Sequence, residues 1–334
     1  MATEIEALLE YGLNIGASEV IISEGGTSAV RLAGKVCMIP DAPSIEPGTI
    51  AGFLGHLDGE SGSMIGGPWV NSRWRVRYFR EARGNSGVFR PILDQCPDFS
   101  MLGVPETMNN LLGLSSGLIV FGGPACSGKT TTASAYVRTL CSCKMLRTSI
   151  INDQEEIPID GGESLILKDS TGSVAEKMDQ ALRSGTDLFW MGDFDGQNLI
   201  PMLRAAESGS LVVVNVTAGN TVGVLEALLC SATTEKRTLV RTMLAASLKA
   251  VVVQRLFPSA DGKGVVPAWE MLYNTQNIAT QIRNGEQFKV PSIIAASGAE
   301  GMLLMDDYLA EMVRFGYVNR EEAEKYVSNP SRFA

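Results

Sequence analysis

Hydrophobic and polar positions change their rhythm once along this chain, and the change divides it. In the first hundred residues, one helical pattern precedes several short stretches with the two-residue period of strands. "TEIEALLEYGLNIG" has apolar spacing of helical type and a glycine near its end, which predicts a helix close to the N-terminus. "SEVIISEGG", "AVRLAGKVCMI", "RWRVRYFREA" and "SGVFRPIL" alternate or run β-branched, and each is predicted as a strand. "DQCPDFSMLGVPE", residues 94–106, carries two prolines and no period, so a linker is expected there.

From Leu114 onward, buried strands alternate with helices, which predicts a mostly parallel sheet. The predicted strands are "GLIVFGGP", "RTSIIND", "DLFWMGD", "SLVVVNVT" and "KAVVVQRLF". "GKTTTASAYVRTL" and "QNLIPMLRAAESG" are helical, and "DDYLAEMVRFG" and "REEAEKYVSN" close the chain as helices. The expectation is a smaller α+β domain over 1–93, a linker over 94–106, and an α/β domain over 107–334.

A chain of 334 residues can bury two cores, and 45% hydrophobic with 19% charged residues is the balance of an ordinary globular protein. The net charge of −9 argues against nucleic acid as a partner. The longest apolar run, "LLGLSSGLIVFGGPAC", is too short and too rich in Gly and Ser to span a bilayer. "MATEIEALLEYG" has acids where a signal peptide has Lys or Arg, so a cytoplasmic location is expected. Six cysteines without a CxxC pair predict reduced thiols, and Cys141 and Cys143 diverge on a helix. One histidine, His56, excludes His-based metal centres and His-dependent triads.

The candidate chemistry begins at "GGPACSGKTTT". Gly123, Pro124, Ala125, Cys126, Ser127, Gly128, Lys129 and Thr130 spell G-x-x-x-x-G-K-[ST] between a predicted strand and a predicted helix, with Thr131 following. Glycines let the backbone curl until several N–H groups face one phosphate, and the helix N-terminus adds partial positive charge. Lys129 is expected to reach the β- and γ-phosphates, and the Thr130 hydroxyl to coordinate Mg²⁺. A nucleoside triphosphate is the ligand this loop predicts. Cys126 inside it is either a small filler or a thiol activated by the clustered N–H dipoles.

Taken in order, "ASEVIISEGG", "SRWRVRYFREARGNSGVFRPI", "GLIVFGGPACSGKTTT", "AAESGSLVVV", "LVRTMLAASLKAVVVQRL" and "GYVNREEAEKYVSNPSRF" resemble segments of the pilus-retraction (twitching-motility) ATPases, within the type II/type IV secretion ATPase superfamily. The resemblance covers nearly the whole chain. It implies a PAS-like N-terminal domain, a RecA-like ATPase domain, ATP with Mg²⁺, and a ring of six copies, of one chain or mixed with a paralogue. It also implies a ring peripheral to the inner membrane, docked on the platform protein of a pilus or secretion machine. The resemblance assigns Asp193, where the family has glutamate, to the carboxylate beside Mg²⁺. It assigns Arg75 and Arg90 to arginines that reach a neighbouring subunit's γ-phosphate, with Arg83 a third candidate; a solvated basic strand face is the alternative.

The chain departs from that family where water is activated. The family's Glu-Asp pair is Asn152-Asp153 here, and an amide cannot accept the water's proton, which leaves Asp153, Glu155 and Glu156 as candidate bases. The family's histidine after the fourth strand is absent, with Ser210 and Asn215–Ala218 in that region, and a second is missing from "SEVIISEGG". Ala279 stands where an arginine is expected, although Arg283 is kept. Three readings stay open at this level: a slow or variant motor, a hydrolysis-poor regulatory paralogue, and another P-loop function such as a different secretion or plasmid-transfer ATPase.

Overall fold

The structure is a computed structural model that describes residues 3–327 apart from residues 33, 56, 58, 152–156, 169–172 and 263. It divides into two compact units. One comprises the described residues to Gln95 together with Ile157 and Pro158, and the other comprises the rest from Cys96 onwards.

The first unit opens with α1 (Glu4–Asn14), whose N-terminus is closed by a reciprocal pair: the Thr3 hydroxyl accepts from Glu6 N–H and the Glu6 carboxylate accepts from Thr3 N–H. There follow β1 (Glu19–Ser23), β2 (Ala29–Leu32), β3 (Lys35–Met38), α2 (Thr49–Leu54), β4 (Ser61–Trp69), β5 (Ser72–Glu81) and β6 (Gly84–Ile92). Among the described residues these strands form an antiparallel sheet in the order β3-β2-β1-β6-β5-β4. Two features differ from expectation. "AVRLAGKVCMI" is a hairpin rather than one strand, because Gly34 at φ 82° permits a tight turn. The helix α2 and the edge strand β4 carry no clear period in the sequence and are held by their neighbours. Along β5 the alternation is as read: Trp74, Val76 and Tyr78 are buried, while Arg73, Arg75 and Arg77 take the other face.

Glu24 ties this unit together. Its carboxylate, almost wholly buried, accepts from Asn85 N–H at 2.6 Å and Ile50 N–H at 2.8 Å, joining the end of β1 to β6 and to α2. Burial alone would raise its pKa, but the N–H groups of Asn85, Ile50 and Gly48 more than offset that and hold it below the ordinary value. A lowered carboxylate pKa adds stability that is present above about pH 4.3 and is lost as pH falls through the native value. Glu24→Gln should therefore cost about 1–3 kcal/mol at neutral pH, and the gap from wild type should narrow below pH 4. Urea unfolding at both pH values checks this; a gap that does not change with pH would contradict it.

The second unit contains β7 (Gly117–Gly123), α3 (Lys129–Cys143), β8 (Arg147–Ile150), β9 (Leu165–Lys168), α4 (Val174–Arg183), β10 (Leu188–Asp193), α5 (Leu199–Glu207) and β11 (Leu211–Thr217). After these come α6 (Thr221–Cys230), α7 (Arg237–Ser247), β12 (Leu248–Pro258), β13 (Val265–Tyr273), α8 (Gln276–Asn284), α9 (Val290–Ala296), α10 (Met305–Arg314) and α11 (Arg320–Glu324). The sheet order is β13-β12-β7-β11-β10-β8-β9, parallel throughout except for the antiparallel pair β12–β13. Two of these strands, β9 and β13, were not expected from the sequence pattern. Part of the 94–106 stretch packs on this unit: Phe99 is buried edge-on against Tyr136, and Trp269 Nε1 donates to the Gly103 carbonyl.

The central strands β7, β11 and β12 are largely buried on both faces and read as mostly apolar runs, broken in β11 by Asn215 and in β12 by Lys249, Gln254 and Arg255. Their C-terminal ends form the edge at which open parallel sheets bind ligands. No disulfide joins any of the six cysteines, with Cys141 buried and Cys143 exposed. Among the described residues no helix is long and apolar enough to cross a membrane.

Candidate nucleotide site

The glycine-rich loop connects the C-terminal end of β7 to the first turn of α3, and close packing dictates its composition. A side chain at Gly123 would place its Cβ 2.3 Å from Ser127 Oγ and 2.5 Å from the Gln254 carbonyl oxygen. Gly128 caps α3 at φ 82°, and a Cβ there would lie 2.9 Å from Gln254 Nε2. Gln254, on β12, is buried and accepts from Thr132 Oγ1 at 2.7 Å, so the neighbouring strand braces the loop from below. Cys126 adopts φ 63°, a left-handed conformation costly for a residue with a side chain, and its thiol is exposed. Pro124 is half-buried, Ala125 exposed, and Thr131 half-buried on the helix.

Lys129 is only 8% exposed and its Nζ donates to the Pro124 carbonyl at 3.4 Å, which folds the cation back over the loop. Next to it, Thr130 Oγ1 accepts from Asn215 Nδ2 at 3.3 Å. Asn215 stands near the end of β11, opposite Phe121 of β7 on one side and Asp193 of β10 on the other. Phe121 packs on Tyr136 of α3, and Asn215 reaches Thr130 of α3, so this row faces that helix. Asp193 shares the row. Its strand shifts register between Trp190 and Asp193, Gly192 turns at φ 60°, and Phe194 N–H donates to the Asn215 carbonyl at 2.8 Å. Thr130 and Asp193, 63 positions apart in sequence, are thus both neighbours of Asn215, one through a side-chain hydrogen bond and the other through strand register.

These residues fit a phosphate and a divalent cation. Ser127 Oγ and Asn215 Oδ1 are buried without a hydrogen-bond partner, one in the loop and one beside Thr130. A buried polar atom left unsatisfied is destabilising, and both atoms sit where a bound anion and hydrated metal would supply partners. Thr130 Oγ1 and the Asp193 carboxylate are the hard oxygen donors that Mg²⁺ prefers.

Arg75 and Arg90 lie in the first unit, directly opposite each other on β5 and β6 and on the face away from the hydrophobic core. The row continues across the sheet: Arg90 Nη2 lies 2.9 Å from Glu19 Oε1, and Arg31 Nε lies 2.7 Å from Glu19 Oε2. Burial raises the Glu19 pKa, but the two guanidinium groups outweigh it and keep the carboxyl below its ordinary value. Arg83 lies in the turn between β5 and β6, outside that row. Asn152, Asp153, Glu155 and Glu156 lie outside the described residues. Sequence reasoning missed the contributions of Glu19, Gln254 and Asn215. For Asn215 a signal was available: it is the one polar residue inside the buried part of "LVVVNVT".

Comparison with known proteins agrees with this geometry. Residues 90–301 match the family model described as type II/IV secretion system protein. The type IV pilus retraction ATPase PilT of Pseudomonas aeruginosa is 27% identical over 346 aligned residues, covering 99% of this chain and 100% of that protein. A twitching motility protein of Neisseria gonorrhoeae is 28% identical, covering 77% of this chain and 70% of that one. A crystal structure of the pilus retraction motor PilT with bound ADP superposes with a TM-score of 0.79 at 24% identity, covering 98% of each chain. The fold is thus α/β, an N-terminal domain followed by a RecA-like ATPase domain with a mostly parallel sheet. With a family model that spans most of the chain and a full-length architecture to match, this protein belongs to the type II/IV secretion system protein family.

Proposed function

We propose that the chain is a Mg²⁺-dependent ATPase, acting in a ring of six as the motor of a type IV pilus or a related secretion machine. The carrying observation is the braced phosphate loop at the edge of the sheet where Asn215 bonds Thr130 and pairs in register with Asp193. The names of the relatives, retraction ATPase and twitching motility protein, support retraction as the work done. In this reading the loop from Gly123 to Gly128 presents its N–H groups to the phosphates, and Lys129 neutralises the β and γ oxygens. Thr130 and Asp193 hold the metal, which when bound neutralises charge that develops on the phosphate oxygens. Arg75 and Arg90 complete the neighbouring subunit's site, where a planar, permanently charged fork spreads over the transferring oxygens. The ring works at the cytoplasmic face of the inner membrane, against a platform protein of the pilus base.

The Glu19 contact decides how the arginines should be tested. Removing Arg90 would also strip a charged partner from the nearly buried Glu19, so its loss confounds folding with catalysis. Arg75→Ala leaves the Arg90–Glu19 contact in place. Wild-type chain should release phosphate from ATP with Mg²⁺, whereas Arg75→Ala and Lys129→Ala should each be nearly inactive. A mixture of the two variants should exceed the sum of their separate rates, because some interfaces then hold both intact halves. Absence of wild-type turnover would overturn the ATPase reading; mixtures that never exceed the sum would overturn the assignment of arginines across subunits.

A further inference from the structure

Asn215 interrupts a strand that is otherwise aliphatic, and it is 1% exposed. A strand covered on both faces favours Val, Ile and Leu, because a buried amide brings two donors and an acceptor that all need partners. Here Nδ2 donates to Thr130 Oγ1, and Oδ1 is buried with no hydrogen-bond partner. A valine like its neighbours Val214 and Val216 would avoid that penalty. The amide is therefore better explained by something it meets only in the loaded protein. Its register opposite Asp193 and its hydrogen bond to Thr130 put it next to both groups assigned above to the metal.

We propose that Asn215 is a positioning residue for the metal of the nucleotide complex, an inference that rests on the nucleotide reading above. Its Nδ2 fixes the Thr130 hydroxyl so that an oxygen lone pair is turned toward the ion. Its Oδ1 accepts a hydrogen bond from a water held by that ion, since Mg²⁺ keeps several of its waters when proteins bind it. This explains in one step why an amide stands in an aliphatic strand and why its two ends differ in satisfaction. Partners of first ligands tune metal affinity because they set the ligand's orientation and its electron density.

The test reads metal binding rather than turnover. Mn²⁺ serves as the probe, titrated by electron paramagnetic resonance into full-length protein saturated with ADP, and ADP affinity is measured separately in EDTA. Asn215→Leu, which has the same heavy-atom branching with no polar atom, should weaken Mn²⁺ binding about 10–100-fold. Its ADP affinity without metal should be unchanged. Asn215→Asp keeps an acceptor and adds charge, so it should hold Mn²⁺ at least as well as wild type. In a Thr130→Val background, Asn215→Leu should add little, because the group it orients is already gone. Unchanged Mn²⁺ affinity in Asn215→Leu, or losses that simply add to those of Thr130→Val, would overturn the proposal. If circular dichroism shows Asn215→Leu to be unfolded, Asn215→Ala takes its place with the same expectation. A wild-type chain that binds no ADP would remove the nucleotide reading and this one together; ADP binding with metal affinity indifferent to position 215 removes this one alone.

Discussion

Lys129→Ala should lower affinity for MgATP by about 10–150-fold, the loss of one charge-assisted contact of about 1.5–3 kcal/mol. Lysine is seldom as buried as the 8% exposure seen here unless its charge is balanced. In the protein as described, its Nζ donates to a loop carbonyl at 3.4 Å, a long contact for a cation. Phosphate oxygens are strong, charged acceptors for a desolvated ammonium, so nucleotide binding gains a charge-assisted contact at this residue. The unliganded variant should still unfold cooperatively, with a thermal midpoint of its own. What should vanish is the upward shift in that midpoint on adding nucleotide. Titration calorimetry at fixed Mg²⁺ gives the affinity, and a thermal melt gives the control. Equal affinities in both proteins would mean that the loop does not hold the phosphates.

How much of this was legible depends on whether the signal is local. The strand, loop and helix around Lys129 could be read because an aliphatic run, two glycines and a helical repeat stand in unbroken order. Strand β13 could not, since Pro267 and Glu270 break its period. Yet Glu270 is nearly buried, and its carboxylate accepts from Thr221 N–H at 2.7 Å and Met305 N–H at 3.4 Å, at the first residues of α6 and α10. A charge inside a strand is tolerated there because two helix starts answer it, and nothing local announces that. Strand β4, "SGSMIGGPW", has almost no β propensity and exists because β5 offers it a ladder. The arginine pair shows the same division. Alternation along β5 exposed Arg75 to view, but the Glu19 carboxylate that holds Arg90 comes from 71 positions away. Asn215 is the sharpest case: its oddity was visible, and its purpose depends on a helix 85 positions earlier.

Replacing one of Asp153, Glu155 or Glu156 by alanine should lower kcat about 10²–10⁴-fold while nucleotide affinity stays nearly constant. The argument starts from the described strand before them. Ile151 is fully buried and its N–H donates to the Trp190 carbonyl, so the chain leaves β8 beside β10, the strand that ends in Asp193. Ile151, the last described residue before the acidic segment, therefore lies at the edge of the sheet that carries the phosphate loop. Its first residue, Asn152, cannot take a proton from water, whereas the carboxylates after it can. A base acts on the water mainly in the transition state, so its loss falls on kcat rather than on binding. Alanine at the other two carboxylates should cost much less. Asn152→Glu discriminates further: with a working base already present, the new carboxylate adds a like charge beside it and leaves kcat flat or lower. Steady-state phosphate release, resolved into kcat and KM for the four variants, reads all of this. A rise in kcat in Asn152→Glu, with three indifferent alanine variants, would mean that the natural chain turns over without a carboxylate base, and that its rate rests on Lys129, the metal and the arginines alone.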